Sequence, residues 1–186
     1  MIITRVSLEE FERFIDRPEN ADRRFEWIGG EIVEVPSNPY SSEIASLIAF
    51  FMRLFLHQHG LKGHVTGEGG GYTVMGERYA PDAAYISAER QQALPYTEGH
   101  NPFPPQLAVE VVSPSDRVPK LLRKVGNYLA AGTVVWVVYP IEQEVEVYVP
   151  NQPVRIFGMQ DTLDGGNVLP DFRLAVREIF PPREGA

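Results

Sequence analysis

Asp82 and Glu110 are the side chains of this sequence whose setting most strongly implies chemistry. Glu110 interrupts an otherwise apolar run, Leu107-Ala108-Val109-Glu110-Val111-Val112. A glutamate in such a run is costly unless it is paired, protonated or bound to a metal. If the run is a strand, Glu110 shares a face with Ala108 and Val112, and Val109 and Val111 point the other way. Asp82 follows Pro81 at the start of a second strand-like run, Pro81 to Ile86. Two carboxylates brought together on neighbouring strands form a hard, oxygen-rich site suited to Mg²⁺ or Mn²⁺. The plainer explanation is a glutamate at an exposed sheet edge and an aspartate in a turn, and the pattern alone allows both.

Other chemistries find less support. Cysteine is absent, which excludes disulfides, thiolate catalysis and cysteine-bound zinc. His57 and His59 are two residues apart and would lie on different sides of a helix. Gly67-Glu68-Gly69-Gly70-Gly71 lacks the Lys-Ser/Thr ending of a phosphate-cradling loop and reads as a hairpin tip. Ser113, without a histidine at a suggestive spacing, reads as structural. The net charge of −8 argues against a protein that coats nucleic acid nonspecifically, although a carboxylate-built metal site is compatible with it. Only three of the seventeen cationic side chains are lysine (Lys62, Lys120 and Lys124), and two of those fall in one segment. There Arg117, Lys120, Arg123 and Lys124 span about two helical turns. They form either a solvated helix face or a local phosphate-binding patch.

The elements that must position these residues can be read from pattern. Ser7 and Glu10 make a capping box for a helix over about 8–16. Two strand-like runs, 25–28 and 31–35, flank Gly29-Gly30 as a tight hairpin. Ser41 or Ser42 can cap a longer helix that Gly60 ends near residue 59, with Ile44, Leu47, Ile48, Phe51, Leu54 and Phe55 on its apolar face. Strands follow at 63–67, 72–75, 81–86 and 107–112, with a proline-rich loop over 95–106. Pro119 to Ala131 is helical in composition, capped by Ser115 or Asp116 and stopped by Gly132. Thr133 to Tyr139 reads as a buried strand containing Trp136, and Glu144 to Val149 as a half-exposed one; Trp27 suits a core or an interface. This order describes an α/β (α+β) domain with a mixed central sheet, a single domain over 1–186. The N-terminus has no signal-peptide pattern and the longest apolar stretch is too polar to span a bilayer, so a cytoplasmic location is expected.

Four segments in order carry a resemblance: "FEWIGGEIVEVP", "YAPDAAYI", "LAVEVVSPSDR" and "KVGNYLAAGTVVWVV". From about Leu8 to Tyr148 the chain resembles a large bacterial family of restriction-endonuclease-like proteins, abundant in cyanobacteria, within the PD-(D/E)XK nuclease superfamily. The resemblance implies a restriction-endonuclease-like fold and Mg²⁺- or Mn²⁺-dependent hydrolysis of DNA. It implies that Asp82 and Glu110 ligate the metal and that Glu26 assists them. The superfamily's usual lysine would stand two residues after Glu110, where this chain has Val112. In the resembling family a helix lysine four residues before a tyrosine fits that place, here Lys124 with Tyr128. The chain departs from the family at Lys120, where an acidic residue is common, and at Tyr139, where aspartate is common. Arg117, Lys120 and Arg123 would then contact nucleic acid, and Lys124 would be a helix-surface residue whose loss costs little stability. The surplus apolar surface of the second helix predicts a homodimer or higher homo-oligomer. Two alternatives stand beside this reading: a non-catalytic nucleic-acid-binding or assembly module on the same scaffold, and an unrelated metal-dependent hydrolase of a small substrate.

Overall fold

The structure, a computed structural model, describes residues 5–35, 38–96, 99–114 and 117–182. It is built around a six-stranded sheet in the order β10-β9-β8-β7-β6-β3. These strands are β3 (Gly63–Gly67), β6 (Ala83–Ser87), β7 (Leu107–Val111), β8 (Val134–Tyr139), β9 (Glu144–Tyr148) and β10 (Arg155–Phe157). Only β7 and β8 run parallel, joined by helix α3 (Val118–Ala130); the other pairs are antiparallel. The sheet is therefore mixed, as expected.

Alternation along the strands divides the core in two. Ala83, Tyr85, Leu107, Val109, Val111, Trp136 and Val138 face helix α2 (Pro39–Gln58) and the C-terminal residues Leu163 to Phe180. Ala84, Ala108, Val135 and Val137 face Val125 and Tyr128 of α3. A second, four-stranded sheet covers that face beside α3, in the order β2-β1-β5-β4. Its strands are β1 (Phe25–Ile28), β2 (Glu31–Glu34), β4 (Tyr72–Val74) and β5 (Glu77–Tyr79). Helix α1 (Leu8–Ile15) opens the chain with the expected capping box, and a hairpin of β11 (Thr162–Asp164) and β12 (Arg173–Ala175) closes it.

Three expectations are corrected. The strands at 63–67 and 72–75 do not form a hairpin: β3 pairs with β6, whereas β4 pairs with β5 across Met75-Gly76. Both turn residues have positive φ, the geometry a two-residue hairpin needs. The glycine-rich stretch is thus a crossing between two sheets. Helix α2 is capped by Asn38, which accepts the Ser41 N–H, with Pro39 in its first turn. Its buried face is Ile44, Ala45, Ile48, Met52, Phe55 and Leu56, rotated from the expected stripe. The expected caps Ser115 and Asp116 lie outside the described residues; Arg117 occupies the N-cap position with no side-chain cap bond. Gly60 and Gly132, both at positive φ, follow α2 and α3 as expected.

Candidate active site

Glu110 sits next to the last residue of β7, on the α3 side of the sheet, and is only 7% exposed. Nothing apolar on that face can satisfy a carboxylate, so its partners come from α3. Lys124 Nζ donates to its Oε2 at 2.6 Å and Tyr128 Oη donates to its Oε1 at 3.1 Å. The two donors are four residues apart and so share one helix face. The same ammonium reaches Glu26 Oε1 of β1 at 2.7 Å, and that oxygen also accepts the Ala80 N–H. Lys124 thus joins the two sheets at the point where the carboxylates converge.

Asp82 lies just before β6. Its N–H donates to Val109 O, and its Oδ2 accepts the Val111 N–H at 2.6 Å, so it is fastened to both neighbours of Glu110. Pro81 has no N–H to extend the ladder, which frees this end of the strand for side-chain contacts. Glu26, Asp82, Glu110 and Lys124 line one cleft of about 710 Å³ together with Glu68. Strand β2 forms one wall of the cleft and α3 the other.

The electrostatics follow from crowding. Burial raises the Asp82 carboxyl to about 6, against the pull of the Val111 N–H and Lys124. Burial also raises Glu110, the Lys124 charge opposes this, and Glu26 and Asp82 add to the rise. Burial works against the Lys124 charge, but Glu110 and Glu26 outweigh it and hold the ammonium protonated. The Tyr128 phenol is raised by burial and by the same carboxylates, so it remains a donor. A cluster with more carboxylates than cations is costly as it stands, and an added cation would relieve it.

The donor set consists of oxygens alone, which fits Mg²⁺ or Mn²⁺ better than a softer metal. No group of three or more His, Asp or Glu side chains forms a ready-made cage among the described residues. Mg²⁺ does not require one, because it usually keeps several waters and takes one or two carboxylates. Asp82 and Glu110 can supply those two.

Several sequence expectations change here. Lys124 is buried to 7% exposure between two carboxylates, so it is neither a surface residue nor cheap to remove. Lys120 and Arg117 line the cleft, but Lys120 is ion-paired to Glu31 across it at 2.7 Å. Arg123 is ion-paired to Glu77 and lies against Gly29. For Lys120 and Arg123 the structure therefore shows counterions in place of an open basic patch. Trp136 is core as expected, and Trp27 donates its indole N–H to Val6 O. Glu68, Glu77 and Tyr79 escaped the sequence reading. Their signal was weak: one is in a glycine-rich stretch, and the others belong to a three-residue strand between turns.

The model of the Uma2 family, described as "Putative restriction endonuclease", matches residues 8–177. None of the curated proteins matches the chain. Among solved structures, the fold is similar to that of a "putative nuclease belonging to DUF820" from Anabaena variabilis, with a TM-score of 0.76. The two are 22% identical, and the match covers 91% of this chain and 96% of the other. At that identity the likeness establishes the fold.

Proposed function

Because this chain belongs to the Uma2 family of restriction-endonuclease-like proteins, we propose that it is a Mg²⁺- or Mn²⁺-dependent endonuclease hydrolysing phosphodiester bonds of DNA. Asp82 and Glu110 are its metal ligands. Lys124 is its catalytic cation, and Glu26 holds that cation in place. The observation that carries this reading is the burial of the Lys124 ammonium against Glu110 in a cleft shared with Asp82. A lysine missing from the strand is supplied to the same carboxylate from the following helix.

The bound cation would supply a water of lowered pKa and positive charge at the phosphate. The chain's own residues do the rest. Glu26 and Glu110 take two of the three N–H donors of Lys124 and keep the ammonium in the cleft. That ammonium stabilises negative charge that develops on the phosphate. Tyr128 holds the Glu110 carboxylate in one orientation through its hydroxyl. Lys120 and Arg117 meet backbone phosphates at the cleft mouth, where Lys120 exchanges Glu31 for the nucleic acid. The proposal includes a homodimer, in which two symmetry-related sites would each cut one strand.

The test is cleavage of supercoiled circular DNA in Mg²⁺ or Mn²⁺ by wild type and by Asp82→Asn and Glu110→Gln. Nicking and linearisation by wild type, abolished by EDTA and in both variants, is expected. DNA binding with no cleavage in either cation contradicts catalysis and favours a binding module on a nuclease scaffold.

A further inference from the structure

Behind the carboxylates lies a second polar cluster that the proposed chemistry does not use. Tyr79 is fully buried, and its hydroxyl donates to Glu77 Oε2 at 2.6 Å. That hydroxyl accepts from Asn127 Nδ2, also at 2.6 Å. Glu77 is itself buried, and its Oε1 takes the Gly29 N–H and the Arg123 guanidinium. The phenol can therefore neither rotate nor slide without breaking its hydrogen bonds to Glu77 and Asn127. Glu77 is buried while its ion-pair partner Arg123 is half exposed, so the anchor is closed at the tyrosine and open to water at the guanidinium. Its presence asks what the tyrosine is being held for.

The ring's neighbours supply the answer. The Lys124 ammonium lies 5.6 Å from the centroid of the Tyr79 ring, within cation–π range. The Tyr128 ring lies 5.3 Å away, tilted by 59°. Tyr79 thus touches both α3 residues that hold Glu110. The helix serves the two clusters with two adjacent rows: Lys124 and Tyr128 go to Glu110, and Arg123 and Asn127 go to the Glu77–Tyr79 pair. A lysine stem has several rotatable bonds and an ammonium has no preferred plane, so two carboxylates alone leave it room to move.

We propose that Tyr79, locked by Glu77 and Asn127, is a positioning residue: its ring face, at 5.6 Å from the ammonium, holds the charge of Lys124 over Glu110. This rests on the reading of Lys124 as the catalytic cation. The role belongs to the ring, and the hydroxyl serves to anchor it. Loss of the ring lowers turnover without changing how DNA is held.

The test compares Tyr79→Leu, Tyr79→Phe and Asn127→Ala by two readouts. The first is DNA cleavage. Tyr79→Leu is expected to lower kcat about 5- to 30-fold with KM nearly unchanged, the range of one partly desolvated cation–π contact. Tyr79→Phe, which keeps the ring, stays within about threefold of wild type. The second readout does not need activity. With only three lysines in the chain, isotope labelling of their side chains gives few NMR signals, assigned by Lys62→Arg and Lys120→Arg. The Lys124 methylene beside the nitrogen should be shifted upfield by the Tyr79 ring in wild type and Tyr79→Phe, and should lose that shift in Tyr79→Leu. If Tyr79→Leu fails to fold, Asn127→Ala decides: a moved Lys124 signal with kcat about 2- to 10-fold lower supports the role, and no change in either overturns it. A Lys124 signal indifferent to Tyr79→Leu overturns the inference whatever the cleavage assay gives. A wild type that cleaves nothing overturns the nuclease reading instead, and the NMR signal still decides the placement.

Discussion

Removal of the Lys124 ammonium would leave Glu26 and Glu110 buried without their shared counterion. Breaking a buried pair costs about 3–5 kcal/mol, so Lys124→Met should melt well below wild type, and Mn²⁺ should restore part of the loss by replacing the missing charge. Equal melting temperatures without metal would contradict the burial described here. Where the variant folds, its cleavage should fall by roughly a hundred- to a thousand-fold, about 2–4 kcal/mol of lost transition-state charge stabilisation. Lys120 behaves differently because its pair with Glu31 is part-exposed. Lys120→Ala should weaken DNA binding and reduce its salt slope by about one phosphate contact while cleavage at saturating DNA persists; an unchanged slope would remove Lys120 from the interface. The special setting of Glu110 was legible because a carboxylate in an apolar strand has few uses, whereas Asp82 stood out only through its resemblance to a family motif. The burial of Lys124 was not legible, since most helix lysines are solvated and only the partner on a distant strand makes this one different.

The hairpin between β1 and β2 carries Glu26 to Lys124, and its turn holds Gly29 in the left-handed region against Arg123. Gly29 has φ +62°, and a Cβ there would lie 3.1 Å from Arg123 Cζ. Gly29→Ala should therefore destabilise by about 1–2 kcal/mol through strain and displacement of Arg123 from Glu77; thermal denaturation checks this, and a neutral or stabilising change would contradict it. His100 packs on Phe11 of α1, with ring centroids 6.2 Å apart. Burial, aided by Arg78, lowers His100 from 6.5 to about 4. Between those values the unfolded chain binds a proton that the folded chain does not. Stability is therefore fully present above pH 6.5 and declines as pH falls towards 4, by on the order of 1–3 kcal/mol. His100→Leu should flatten that window in denaturant titrations, and an unchanged pH dependence would contradict the shift. Helices, caps and the long strands were legible because periodicity and stop signals agree over many residues. The strand exchange around Gly69-Gly70-Gly71 was not, because local pattern identifies a strand but not its partner, and β5 is three residues long.

As a whole, the molecule places an acidic cleft between two sheets and closes it with one helix. No helix among the described residues is long and apolar enough to cross a membrane. On α2, Phe50 is 55% exposed, edge-on to Phe51, which is partly buried against the core. The proposed homodimer should appear as twice the monomer mass in light scattering at micromolar concentration, and Phe50→Glu should shift it towards monomer; a monomeric wild type would contradict it. Mixed-sheet architecture was legible from element order, whereas the covering of one sheet by a second depended on pairings between residues far apart in sequence. The proposed site has Asp82 and Glu110 holding a divalent cation beside Lys124, and anomalous diffraction from crystals soaked in Mn²⁺ would locate that cation. One manganese peak is expected within coordination distance of both carboxylates, with the Lys124 ammonium still in the cleft; a manganese found elsewhere, or none at saturating concentration, would overturn the proposed site.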